Sequence, residues 1–192
     1  MSKRAERAAH TQAKLRKAAI GVFARKGFHE TKISDIVAEA GVSQPAFYLY
    51  YGSKEALFET LVSEFRHELR EATRLCLISP GLNADELFEE LRRSFTRFLT
   101  VLHRDRGLAE IGFYQYASGE TTKEQMIEWI TLNMEREQQA GILRDDIVVR
   151  CQARLVMGML DQMSRIADTE QNIAELSGVC ARLFCDALAA KR

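Results

Sequence analysis

Apolar residues recur at three- and four-residue intervals through nearly the whole of this 192-residue chain, and that period limits its fold more than any other feature. Side chains so spaced line one face of an α-helix, whereas a half-buried strand alternates. The sequence contains no alternating stretch, internal repeat or low-complexity segment. Only 2 prolines and 11 glycines punctuate it, too few turn formers for the many short strands of a sandwich or barrel. The expectation is an all-α chain of about nine helices.

Local signals set the expected boundaries. Thr11 reads as the cap of a first helix carrying Leu15, Ala18, Ala19, Val22 and Phe23, which Gly27 stops. A second runs from Thr31 to Gly41 with Ile33, Ile36, Val37 and Ala40 inward, and Ser43 caps a third, Gln44 to Tyr50, with Pro45 in its first turn. Gly52-Ser53 leads into a long helix from Lys54 to about Ile78, roughly 35 Å at ~1.5 Å per residue. Asn83 with Glu86 three residues on forms a capping box for the fifth. Ser118-Gly119 reads as a break after a short sixth segment, Leu108 to Ala117, with Thr121 or Thr122 capping a seventh that Gly141 closes. Two more follow, from about Asp146 to Ala167 and from Thr169 to Ala190.

Composition sorts the function classes. Apolar residues make up 46% and charged ones 28%, ordinary for a globular domain and too apolar for disorder. No stretch approaches the ~18 consecutive apolar residues of a membrane span, and the first ten residues lack a secretory pattern. Cys76, Cys151, Cys180 and Cys185 show no CxxC pairing and read as reduced packing residues. A cytoplasmic location without membrane partner is expected. Formal net charge is zero, yet residues 1–54 hold 10 Lys and Arg against four acids, a net +6 that the remainder balances with −6. A basic end on an acidic body suits contact with a polyanion.

Residues 31–58 give that contact a form. Two short helices joined through Gly41-Val42-Ser43 have the layout of a helix-turn-helix. Phe47 and Tyr51, four apart, are expected to face a core of Ile36, Val37, Val22 and Leu57. Gln44, Pro45, Tyr48 and Leu49 are then left outward. Two tyrosines (Tyr48 and Tyr50), a leucine and a proline make a poor solvated surface and a sensible groove-facing one.

The string from Val42 to Phe58, VSQPAFYLYYGSKEALF, resembles the TetR/AcrR family of bacterial transcriptional regulators, as does the upstream segment Ile20 to Phe28. The specific similarity extends over about residues 11–65. It implies a three-helix DNA-binding domain at 1–52 followed by a helical effector-binding and dimerisation domain at 53–192. The implied protein is a homodimeric regulator, most often a repressor, that a small apolar effector releases from a palindromic operator in double-stranded DNA.

Position by position, Gln44 has an amide suited to adenine N6 and N7. Pro45, Ala46 and Leu49 offer apolar contact to thymine methyls, and Ser34 a second base or phosphate contact. Thr31, Lys32, Tyr48, Tyr50 and Lys54 suit phosphate oxygens, which position without specifying sequence. Pro45 stands where the family most often has glycine, and Leu49 and Tyr50 where polar groups are frequent, so its base preference does not carry over. One reader makes too few base contacts for specificity, which calls for a two-fold dimer. Its expected seam is Cys151, Leu155, Met159 and Met163 on the eighth helix with Ile173, Leu176, Cys180 and Leu183 on the ninth. Phe95, Phe98, Phe113, Tyr114, Tyr116, Met126, Trp129 and Asn133 are the expected effector contacts.

An enzyme is not expected, and neither a cofactor nor a metal. The four histidines are scattered, and Glu64 with His67 makes at most two of the three or more ligands a metal site requires. No glycine-rich phosphate loop, GxSxG or HExxH is present. A redox-sensing regulator built on Cys180 and Cys185 is the alternative. Their spacing of five sets them about 140° apart on a helix, awkward for a direct disulfide.

Overall fold

The computed structural model describes residues 3–190, the side chain of Tyr116 excepted. Among the described residues nine α-helices are present: α1 (Lys3–Lys26), α2 (Ile33–Ala40), α3 (Gln44–Tyr48), α4 (Lys54–Arg74), α5 (Ala84–Arg104), α6 (Arg106–Ala109), α7 (Tyr116–Gln139), α8 (Val149–Ile166) and α9 (Glu170–Leu188). A π-helical segment, Glu110–Tyr114, lies between α6 and α7. The only β-type pairing among the described residues is one isolated antiparallel bridge, Leu143 with Ala189.

By packing, the chain forms two units, Met1–Arg66 with Gly107–Glu120, and His67–Arg106 with Thr121–Arg192. In the first, Leu15, Ala19, Phe23, Ile36, Phe47, Leu57 and Phe65 are fully buried. The Phe23, Phe28 and Phe58 rings cluster with centroids 4.8–6.0 Å apart, Phe23 stacked on Phe28 and edge to face with Phe58, and Phe28 tilted against Phe58. The π-helical segment joins this core: Gln115 Nε2 donates to the Phe23 carbonyl at 3.0 Å. In the second, α5 packs mainly on α9 and also on α8.

Several boundaries move, each for a physical reason. α1 extends back to Lys3, so Thr11 is interior and its hydroxyl donates to the Arg7 carbonyl one turn earlier. α4 ends at Arg74, giving 21 residues and about 32 Å. Ser118 and Gly119 lie inside α7 rather than at a break. A Cβ on Gly119 would stand 2.3 Å from the Phe113 carbonyl oxygen, so this glycine permits close backbone approach. Thr122 is fully buried within α7, beyond its first turn, so the helix does not start there. Asn83 with Glu86 caps α5 as expected, and Thr169, the expected start of the last helix, caps α9 by accepting the Asn172 N–H.

Candidate nucleic-acid interface

The turn between α2 and α3 is built from three local devices. Gly41 adopts φ 65°, and the bonds Val42 N–H to Val37 O (3.0 Å) and Gly41 N–H to Ala38 O (3.3 Å) close α2 in a Schellman motif. Ser43, extended, then accepts the Ala46 N–H at 3.4 Å and starts α3 with Pro45 in its first turn. At the front of α2, Asp35 accepts the Lys32 N–H at 3.0 Å and pairs with Lys26 at 3.0 Å. The Lys32 amide first, and then the Lys26 side chain, hold the Asp35 carboxyl below its usual range.

α3 is regular only through Tyr48, and tighter turns carry the chain to Tyr51, whose N–H reaches the Phe47 carbonyl at 3.0 Å. Phe47 is fully buried and Tyr51 nearly so, so these two rings anchor the helix. Its other flank is open. Gln44 and Pro45 are exposed, Ala46 and Tyr50 half-buried, and Tyr48 and Leu49 are 52% and 82% exposed. Lys32, Ser34, Gln44 and Tyr48 line one shallow concavity with residues 52–55. Pro45, Ala46, Leu49 and Tyr50 lie outside it.

Two residues expected at the phosphates are placed differently. Thr31 is 1% exposed, and its hydroxyl donates to the Gly27 carbonyl at 2.7 Å. The Lys54 ammonium donates to the carbonyls of Phe28 and Thr31, both at 2.9 Å, and stands 4.4 Å from the Phe28 ring centre. Thr31 closes the loop after α1 on itself, and Lys54 ties that loop to the start of α4. Their spacing from the turn was legible in the sequence, but the carbonyls they reach were not. Lys54→Ala is expected to lower stability by about 2 kcal/mol, since two backbone acceptors lose a charged donor. Lys54→Arg should recover part of that loss, and urea denaturation of the three proteins checks both.

The expected effector contacts disperse. Phe95, Phe98 and Asn133 line a cavity of about 60 Å³ in the second unit, with Leu91, Met134 and Glu137 among its other walls. Phe113 and Tyr114 belong to the first unit. Met126 is buried away from the cavity lining, and Trp129 lines a shallow cleft with Arg70, Arg74 and Arg136. The Tyr116 side chain lies outside the described residues. Sequence reasoning missed Glu137, which is 3% exposed and whose Oε1 accepts the Ile78 N–H at 3.0 Å. Burial pushes its carboxyl up to about 7 despite that bond.

The expected dimer seam splits by face. Cys151 is exposed, Leu155 is 58% exposed, and Met159 and Met163 are half-buried, one row along α8. On α9, Ile173 and Cys180 turn inward with Ser177 and Phe184, whereas Leu176 and Leu183 turn outward. Val179, 52% exposed, completes that outward row at spacings of three and four. All four thiols are free. Burial raises Cys180 to about 11 and also raises Cys185 and Cys76. Such thiols hold little of the reactive thiolate, which speaks against the redox alternative. Among the described residues no three His, Cys, Asp or Glu side chains are grouped to hold a metal, and no helix is long and apolar enough to cross a membrane.

A capped two-helix turn with one flank anchored and the other exposed, followed by a helical bundle, defines a helix-turn-helix regulator. The family model for bacterial regulatory proteins of the tetR family matches residues 15–61. A helix-turn-helix-type transcriptional regulator of Bacillus subtilis strain 168, YdgC, is 32% identical over 151 residues, covering 79% of this chain and 77% of the relative. The transcriptional repressor NicS of Pseudomonas putida KT2440 is 28% identical over 157 residues, covering 76% and 72%. A crystal structure of a TetR-like regulator from Rhodococcus sp. RHA1 superposes with a TM-score of 0.67 at 25% identity, covering 92% of this chain and 96% of that one. This chain belongs to the TetR family of DNA-binding transcriptional regulators.

Proposed function

We propose that the protein is a ligand-responsive repressor, a homodimer that holds a palindromic operator and leaves it when a small molecule binds. The observation that carries the reading is the exposed flank of α3, where Gln44, Pro45, Tyr48 and Leu49 face outward from a helix pinned by Phe47. Residues 1–52 are the reader and 53–192 hold the effector and the dimer contacts. Within the reader, Gln44 contacts a base edge, Pro45, Ala46 and Leu49 contact thymine methyls, and Lys32, Ser34, Tyr48 and Tyr50 contact phosphates. Thr31 and Lys54 are positioning residues. The outward rows of α8 and α9 support dimerisation, since water-exposed Leu155, Val179 and Leu183, with half-buried Leu176 between them, gain by mutual burial. Two readers about 34–36 Å apart would then meet successive turns of one duplex face.

Repression follows the likeness to NicS, itself a repressor. Release follows if the effector has unequal affinity for two states of the dimer, and only to the extent of that inequality. α4 runs without a break from residues of the first unit into residues of the second, so it is a suitable carrier of that difference. Gln44→Ala should cost about 1–3 kcal/mol on the preferred operator and relax preference at one base position per half-site. Selection of bound fragments from a random duplex pool, with wild type and variant in parallel, reads both effects. An unchanged preference would remove Gln44 from the base contacts.

A further inference from the structure

The cavity of the second unit has an unusual charge balance. Its wall is apolar on most sides, with Leu91, Phe95, Phe98 and Phe184 contributing, and it carries one carboxyl, Glu137. No Lys, Arg or His is among its lining residues. Its other polar groups have partners: Asn133 Nδ2 donates to the Thr73 carbonyl at 2.9 Å, and Cys76 Sγ to the Ala72 carbonyl at 3.0 Å. Glu137 differs. Among the described residues, its carboxyl receives one hydrogen bond, the Ile78 N–H on Oε1, and Oε2 meets no protein donor. The Cys76 thiol, raised mainly by burial and further by the Glu137 charge, shares the cavity wall, and Arg97 Nη1 stands 3.5 Å from its sulfur.

A buried acid with one oxygen still open to the cavity limits what else the cavity accepts. An anionic head would set a second negative charge beside it with no base to neutralise either, and desolvation makes that costly. A neutral alcohol satisfies one acceptor and leaves the charge uncompensated. An ammonium does both, because it donates to Oε2 and cancels the charge. The volume, about 60 Å³, holds a short hydrocarbon body and little more.

We propose, resting on the effector reading above, that this cavity takes a small apolar amine whose ammonium pairs with Glu137 while its hydrocarbon part lies among Leu91, Phe95, Phe98 and Phe184. Binding is then pH-dependent in a defined direction. The carboxyl titrates near 7, while an alkylammonium, like lysine at about 10.4, keeps its proton. Raising pH from 6 to 8 ionises Glu137 and strengthens amine binding.

Calorimetric titration of the full chain with n-butylamine, n-butanol and n-butyrate at pH 6 and 8 tests this. At pH 8 the amine should bind at least about tenfold tighter than the alcohol, as a charge-assisted bond to a buried group requires, with butyrate weakest. The amine should gain up to about tenfold between pH 6 and 8, and the alcohol should not. Glu137→Gln should bring amine and alcohol to similar affinity and abolish the pH effect. Butyrate binding as well as the amine, an amine preference that survives in Glu137→Gln, or no binding by any of the three would overturn the proposal. DNA release followed by fluorescence anisotropy in the same solutions separates it from the effector reading. Amine binding in the expected pattern without release overturns the effector role and leaves the ligand class standing. Release by butyrate but not by butylamine does the reverse.

Discussion

Replacing Leu49 with aspartate is expected to weaken duplex binding by at least about a hundredfold while leaving the fold intact. The side chain is 82% exposed at the end of α3, so the substitution breaks no packing, and stability should change by no more than about 0.5 kcal/mol. Against DNA the same carboxylate meets a polyanion. Like charges brought together at an interface cost several kcal/mol, and about 2.7 kcal/mol already gives the hundredfold loss. Leu49→Ala should lose far less, because it trims the apolar contact by three carbons and introduces no charge. Anisotropy titration beside a thermal melt distinguishes loss of function from loss of structure. A variant that melts normally and still binds would place Leu49 away from the duplex.

Glu137→Gln is expected to stabilise the free protein by about 3 kcal/mol at pH 8. The carboxyl rises from 4.5 to about 7 on folding, and each unit is worth about 1.4 kcal/mol. The sign follows from proton counting: between about pH 4.5 and 7 the folded state binds the proton and the unfolded state has released it. Stability therefore falls as pH rises through that window, and the full penalty stands above it. Glutamine keeps the acceptor for the Ile78 N–H and cannot ionise, so its advantage should appear above pH 4.5 and level off just above 7. For a chain of this size the gain at pH 8 is on the order of 10 °C in Tm. A variant no more stable than wild type at pH 8 would mean that Glu137 is solvated. An acid retained at such a cost fits a binding role, since functional sites are often where stability is given up.

The end signals of the helices were largely legible in the sequence, because caps act through residues close in the chain. Gly41, Ser43, Asn83 with Glu86, and Thr169 each sit where their φ or side-chain oxygen is required. The anchoring of α3 was legible too, since the Phe47 and Tyr51 spacing names the inward face. Features set by tertiary approach were not. Gly119 read as a breaker, but what it permits is a close approach to a carbonyl six residues earlier. Lys54 read as a phosphate ligand because nothing local reveals the Phe28 and Thr31 carbonyls it reaches. The α9 row read as one seam, yet residues three and four apart drift across faces, and Ile173 and Cys180 fell inward while Leu183 did not. Glu137 carried a usable signal that went unread: it continues the buried row of Ile130 and Met134 at helical spacing, although the polar run around it suggests a solvated face.

The central claim is that the open flank of α3 meets duplex DNA. Titrating wild type and Leu49→Asp with fluorescent random duplexes at about 50 and 200 mM salt tests it most directly. The expected result is wild-type binding at the lower salt, a fall of several hundredfold or more at the higher, and no measurable binding by the folded variant. Wild type that ignores duplex at low salt, or a variant that binds like wild type, would contradict it.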